Sequence, residues 1–154
     1  MSEPPWLSDA EQRAWRAYLR MNNRLTAALG RQLQAGSQLS IADYEVLVYL
    51  TDTPDGRRRP YELQQDLDWE QSRLSHHLGR MQKRGLVCRQ ECPSDGRGAV
   101  ITITDAGRQA IAAAAPGHAA AVRRLFFDAL DAHQVASLGQ LADQVLDRLA
   151  NDDR

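Results

Sequence analysis

Residues 68–85 read DWEQSRLSHHLGRMQKRG, and this stretch predicts a helix with two unlike faces. Leu74, Leu78 and Met81 recur at spacings of four and three residues, which places them on one apolar side. The opposite side carries arginine, serine, histidine and lysine, and Gly85 predicts the end of the helix. A helix of this kind fits a DNA major groove, while an ordinary solvated surface helix is the alternative interpretation.

The residues before this helix predict a second, shorter one. Pro60 is a typical first helical residue, and the apolar spacing ends at Leu67. Asp68 and Gln71 then form a predicted capping pair at the start of the longer helix. A short helix, a turn and a longer helix with a basic front is the order of a helix-turn-helix.

Charge is distributed unevenly along the chain. The formal net charge is −1, but residues 57–97 contain nine basic and six acidic side chains. The middle is therefore basic and the ends are acidic, which suits a central segment that faces phosphates. Three of the basic residues precede the short helix, where phosphate contact is the functional interpretation and a solvated loop is the alternative: Arg57, Arg58 and Arg59.

The period of the apolar residues changes after the long helix. Residues 86–91 and 99–104 predict two strands, and the turn-forming cluster at 93–98 predicts a hairpin between them. Arg97 lies at the predicted tip. It is either an ordinary turn residue or a side chain that reaches the minor groove, where narrow A·T-rich stretches attract arginine.

The N-terminal part predicts two capped helices. Ser8 with Glu11 matches a capping box, followed by a long helix that Gly36 is expected to end. Ser40 with Asp43 matches the same pattern at the start of the next helix. The first helix is long for a compact domain, so we expect it to extend toward a partner chain.

The C-terminal part predicts two further helices. The first starts near residue 105, and Pro116-Gly117 is expected to kink or break it. The second covers 133–150 with a regular apolar stripe. These amphipathic helices without a basic face indicate a dimerisation module, with a single monomeric helical core as the alternative.

Composition excludes several classes of protein. No apolar run approaches the length of a membrane span, and the N-terminus lacks a secretory signal, so we expect a cytoplasmic protein. Cys88 and Cys92 would lie too far apart on one straight strand to form a disulfide. The residues show no metal spacing, phosphate loop or nucleophile motif, so we expect no metal, no cofactor and no enzyme activity.

In this order of elements, the chain resembles the MarR family of bacterial transcription regulators across about residues 15–150. The motif Asp95-x-Arg97, followed by a strand that ends in Ile103-Thr104, is similar to the wing signature of that family and is the most specific part of the resemblance. The other stretches that carry the resemblance are 39–50, 62–67 and 72–87.

The resemblance implies a fold that is mainly α with a small β-hairpin wing. One MarR-like domain, 1–154, would contain a winged helix-turn-helix lobe at 37–104, with dimerisation helices at 8–36 and 105–150. It also implies a homodimer that binds a pseudo-palindromic operator in double-stranded DNA, with repression as the expected outcome. A small aromatic or phenolic effector would change DNA affinity by shifting the spacing of the two lobes.

Particular residues are assigned to this function. The expected base readers are Gln71, Ser72, Arg73, Ser75 and His76. The expected phosphate contacts are Arg57, Arg58, Arg59, Arg80 and Lys83. Asp95 would brace Arg97 in the wing, and the candidate ligand-pocket residues are Tyr18, Asn22 and Tyr44. Trp69 is expected to pack and not to read bases.

Two other functions remain open from the residues alone. One is a helical interaction module whose basic patch binds an acidic protein partner. The other is a thiol-sensing regulator that uses Cys92, which lies just before the predicted turn. The family's sensing cysteine lies in the first helix, where this sequence has none.

Overall fold

The computed structural model describes residues 5–91 and 98–153. The fold is mainly α-helical with one small antiparallel sheet, as the sequence predicts. The helices are α1 Asp9–Ser37, α2 Ile41–Thr51, α3 Pro60–Leu67, α4 Gln71–Lys83, α5 Asp105–Leu125 and α6 Ala132–Asp152. The strands are β1 Arg57–Arg58, β2 Val87–Glu91 and β3 Ala99–Ile103, and a short 3-10 turn covers Phe127–Ala129.

The sheet contains one strand that the sequence does not predict. Its order is β1-β3-β2, with β3 antiparallel to both neighbours. Arg57 pairs with Thr102 and Arg58 with Ile101, so two of the three arginines expected in a loop form a strand. A strand of two residues shows no alternation of its own and forms only because β3 offers a free edge.

Two helix starts are confirmed in atomic detail. The Ser8 hydroxyl accepts a hydrogen bond from the backbone N–H of Glu11, whose carboxylate accepts one from the backbone N–H of Ser8. Ser40 and Asp43 form the same reciprocal pair at the start of α2. Each box satisfies backbone donors that a helix N-terminus would otherwise leave without partners.

Two predicted helix boundaries are wrong. Helix α1 continues through Gly36, and Gln38 takes the left-handed conformation after it, with φ of 60°. Asp68 does not cap α4: it ends α3 with φ of 54°, and α4 begins only at Gln71. Aspartate tolerates this conformation better than most residues do, so it serves at a helix end as readily as at a start. The predicted stop at Gly85 agrees with its φ of 75°.

Pro116 does not break α5, which continues to Leu125. Helix α6 begins at Ala132, where Asp131 caps it by accepting a hydrogen bond from the Gln134 backbone N–H. Over residues 5–91 and 98–153, no helix is both long enough and apolar enough to cross a membrane.

The chain divides into two compact units, Met1–His118 and Ala119–Arg154. The first unit contains the main hydrophobic core, to which α1 to α5 and the sheet all contribute. The predicted apolar side of α4 is confirmed, since Leu74, Leu78 and Met81 are all buried in this core. Each such side chain stabilises the fold by roughly 1.5–3 kcal/mol.

Candidate nucleic-acid interface

Helix α4 has one side in the core and the other open to solvent. Leu74 and Met81 are buried, while the predicted base-reading residues are all exposed: Gln71, Ser72, Arg73, Ser75 and His76. The helix thus presents a polar front on a fixed apolar back. This arrangement allows an element to enter a groove without losing its packing.

A network of polar and charged side chains around the buried Asp43 attaches α4 to the start of α2. Asp43 is 3% exposed, and its carboxylate accepts a hydrogen bond from Arg84 at 2.6 Å. His77 Nε2 lies 3.0 Å from the other carboxylate oxygen. Arg84 also donates to the carbonyl of Gln38 at the end of α1, at 2.7 Å. Asp43 thus connects α2 to His77 and Arg84, and Arg84 extends this connection to the end of α1.

The partners of His77 determine which ring nitrogen carries its proton. The Arg80 guanidinium lies 3.0 Å from His77 Nδ1 and can only donate, so Nδ1 accepts. A ring with a single proton therefore carries it on Nε2, which faces Asp43. His77 therefore links Arg80, on the exposed side of α4, to a carboxylate in α2.

The same contacts govern the ionisation of Asp43. Burial by itself would raise the pKa of this carboxyl, but hydrogen bonds from His77, the Ser40 backbone and Arg84 outweigh it. The pKa is held well below its ordinary value, and the carboxylate stays charged.

Trp69 packs against two side chains of α4, His77 and Arg73. It is 8% exposed, as expected of a packing residue, and its ring meets His77 edge-on at 5.5 Å between centroids. The Arg73 guanidinium carbon lies 4.1 Å from the centroid of the Trp69 ring. This cation–π contact limits the orientations of the one arginine among the predicted base readers.

The predicted phosphate-binding residues differ in the contacts that they make within the chain. Arg58 donates to Asp66 at 2.6 Å, and the Arg59 backbone N–H donates to Glu62 at 2.9 Å. Arg80 contacts His77 as described above. Arg57 and Lys83 are exposed. The two wing residues, Asp95 and Arg97, and Cys92 lie outside the described residues, whereas Cys88 is a free thiol on β2.

A cavity of about 580 Å³ lies between α1, α2 and His118 of α5. Its lining residues are Asn22, Leu25, Thr26, Leu29, Leu33, Ile41, Tyr44, Glu45, Val48, Tyr49, Asp52 and His118. Two of the three predicted pocket residues, Asn22 and Tyr44, line it. Tyr18 does not: it stacks on Trp15 with ring centroids 5.6 Å apart.

Burial shifts the pKa of three groups in the cavity. It raises the pKa of Tyr44 and lowers that of His118, whose rings pack at 4.5 Å between centroids. Burial also raises the pKa of the Glu45 carboxyl, against an opposing effect of the positive charge of Arg73. Glu45 thus links the cavity electrostatically to a predicted base reader.

Comparison with solved structures decides the family. The chain is 40% identical to Sco3205, a MarR family transcriptional regulator from Streptomyces coelicolor solved in complex with DNA. The match covers 97% of this chain and 93% of Sco3205, with a TM-score of 0.90. The chain belongs to the MarR family of transcriptional regulators. No family model and no curated protein sequence matches it.

Two other solved structures extend the comparison. AbsC, a MarR family regulator from Streptomyces coelicolor, is 36% identical over 96% of this chain and 99% of its own, with a TM-score of 0.90. CouR from Rhodococcus jostii RHA1, solved with p-coumaroyl-CoA bound, is 22% identical over 82% of this chain and 86% of its own. Its TM-score of 0.70 shows a shared fold.

The resemblance found in the sequence is therefore confirmed, but the MarR lobe contains a network that the sequence does not predict. His77 lies three residues after Leu74 and four before Met81, which is on the apolar side of α4. That position indicates a buried histidine in need of a polar partner. Nothing in the sequence shows that Asp43, 34 positions earlier, supplies it.

Proposed function

We propose that this chain is a sequence-specific regulator that binds double-stranded DNA as a homodimer on a pseudo-palindromic operator. The observation that carries the proposal is the exposed polar front of α4, held on a buried apolar back and an Asp43-centred network. The 40% identity to a regulator solved with DNA supports it. The two copies of α4 would enter major grooves about one DNA turn, ~34 Å, apart.

Within this proposal, α4 carries out two tasks. Its first turns would read base edges through Gln71, Ser72, Arg73, Ser75 and His76, and Arg80 and Lys83 would contact phosphates. Arg57, Arg58 and Arg59 would contact phosphates at the groove edge. Arg97 would enter the minor groove, braced by Asp95.

Exposed apolar side chains support the proposed dimer. Along α6, Val135, Leu138 and Leu141 are 39%, 38% and 59% exposed, and the stripe continues to Leu149 at 55%. On α1, Trp15, at 53%, is also open. Surfaces of this kind indicate an interaction site, and an isologous contact would cover them in both subunits. We therefore keep 8–36 and 105–150 as the proposed dimerisation region and 37–104 as the DNA-binding lobe of a single domain, 1–154.

The cavity gives the regulator a place for a small effector. A compound bound there changes DNA affinity only if it binds the DNA-competent and the other conformation unequally. In this proposal the protein is a cytoplasmic repressor without catalytic activity, since occupation of the operator is itself the regulatory event.

A salt series on two duplexes tests DNA binding. We expect tight binding to the chain's own promoter region, weaker binding to a random duplex, and a fall of at least about a hundredfold between about 50 and 200 mM salt. Fluorescence anisotropy with labelled duplexes measures both. Absence of salt-sensitive binding at low ionic strength would instead favour an acidic protein as the partner of the basic patch.

Removal of one phosphate contact gives a more local prediction. Lys83→Ala should weaken operator and random DNA by similar factors and reduce the slope of log K against log salt by about 0.9 per subunit, because one fewer counterion is released. Gln82→Ala, at the adjacent exposed and uncharged position, is the control. A change in sequence preference for Lys83→Ala would contradict its assignment to phosphate.

A further inference from the structure

The charges in the cavity are of one sign. Glu45 and Asp52 line it, and within the described part of the chain its lining includes no lysine or arginine. We propose that this cavity binds an apolar, ring-containing compound that carries a protonated amine. The inference deepens the proposed function by naming the chemical class of its effector, and it rests on that function only for the consequence at DNA.

The walls of the cavity suit the apolar body of such a compound. Leu25, Leu29, Leu33, Ile41 and Val48 line one continuous stretch between α1 and α2. Ligand cavities commonly have volumes of about 300–1,000 Å³ and apolar walls with a few polar groups. The volume of about 580 Å³ exceeds that of a single aromatic ring, so a bicyclic compound has room.

The two carboxylates mark where the charged end would lie. Glu45 lies in α2 and Asp52, seven residues later, caps the C-terminal end of that helix, which places them about two turns apart on the same side. Both are exposed and both line the cavity, so they lie at its mouth. An ammonium group beside either carboxylate would gain a counter-charge and keep part of its hydration.

An uncharged histidine lies further along the wall. The Nδ1 atom of His118 is buried and has no hydrogen-bond partner among the described residues. Because burial lowers the pKa of His118, its ring is neutral near pH 7 and adds no positive charge to the cavity.

An anionic ligand finds no matching partner in this lining. The arginine that acts electrostatically on Glu45 is Arg73, but it stacks on Trp69 in α4 and is not part of the lining. A ligand carboxylate at the mouth would lie beside a like charge. The cavity should therefore discriminate against aromatic acids in favour of amines of the same shape.

Three indole compounds of one shape test the inference: tryptamine as the cation, tryptophol as the neutral compound and indole-3-acetate as the anion. Binding to the DNA-free protein is measured by isothermal titration calorimetry at pH 7. We expect tryptamine to bind at least about tenfold more tightly than indole-3-acetate, with tryptophol between them. Glu45→Gln should remove most of that preference, Asp52→Asn a smaller part, and the control Glu91→Gln, an exposed carboxylate outside the cavity, none of it.

The results that would overturn the cavity inference differ from those that would overturn the proposed function. Equal or tighter binding of indole-3-acetate would overturn the inference, as would a preference that Glu45→Gln leaves intact, or no binding of any of the three compounds. Operator binding without any compound is measured separately by anisotropy. If DNA binding fails while tryptamine still binds with the expected preference, the proposed function fails and the cavity assignment stands.

Discussion

Replacement of Asp43 by asparagine is expected to lower the free energy of unfolding by roughly 2–3 kcal/mol, because it removes the charge from a buried acceptor, and hydrogen bonds to charged groups contribute about 1.5–3 kcal/mol each. His77, 7% exposed, would lose the carboxylate 3.0 Å from its Nε2, and Arg84 would lose its 2.6 Å hydrogen bond. Urea unfolding followed by circular dichroism measures the loss. Protein concentration must be held constant, since the stability of a dimer depends on it.

The destabilisation should depend on pH in a defined direction. The folded-state pKa of Asp43 is depressed, so the charged carboxylate stabilises the native state above the unfolded-state pKa of about 3.9. As the pH falls below that value toward the lower folded-state pKa, this contribution is lost. The stability gap between wild type and Asp43→Asn should therefore be full at pH 7 and shrink below about pH 4.

Asp66→Asn is the matched control for Asp43→Asn. Asp66 accepts a hydrogen bond from Arg58 at the same distance of 2.6 Å, but these two side chains are 29% and 30% exposed. A pair that remains in contact with water contributes about 0–1 kcal/mol. Equal losses for the two variants would contradict the role of Asp43 as a buried anchor of α4.

Arg73→Ala is expected to weaken operator binding by about 1–3 kcal/mol, which is roughly 5- to 150-fold, and to relax sequence preference. Arginine binds guanine through two parallel hydrogen bonds, and alanine can make neither. The contact with Trp69 at 4.1 Å restricts the guanidinium before DNA arrives, so less freedom is lost on binding. Anisotropy on the operator and on single-base variants of it measures both effects.

Two comparisons make the Arg73 prediction specific. Trp69→Phe keeps an aromatic ring in the core but offers a weaker cation–π partner, so it should cause a smaller loss at the same base position. Lys83→Ala should weaken all sequences alike. If Arg73→Ala also weakened operator and random DNA equally, Arg73 would be a phosphate contact and its assignment as a base reader would be wrong.

The elements with a strong local signal were predictable. The capping boxes at Ser8 and Ser40, the apolar side of α4 and the β-branched strand β3 all follow from residues within one or two turns of each other. The exposed residues on the front of α4 were predictable for the same reason. Helix periodicity alone determines which side chains share a face.

Features that depend on distant partners were not predictable. Strand β1 exists because β3 pairs with it across more than 40 residues. Asp68 takes its left-handed conformation because α3 ends there and the chain turns toward α4. The cavity includes His118, from the second half of α5, and excludes Tyr18, and neither fact is visible in the spacing of either helix.

The sequence by itself determined the order of the helices and of the two hairpin strands, the resemblance to the family and the face of α4 that meets solvent, since each depends on local periodicity or on a short motif. Only the tertiary structure decided how α4 is held. Asp43 and His77 are buried and come from helices 34 positions apart, and the charge of Asp43 can be buried only where His77 and the partly exposed Arg84 both reach it. The position of α4 therefore depends on the Asp43 carboxylate of α2, which the residues of α4 alone do not predict.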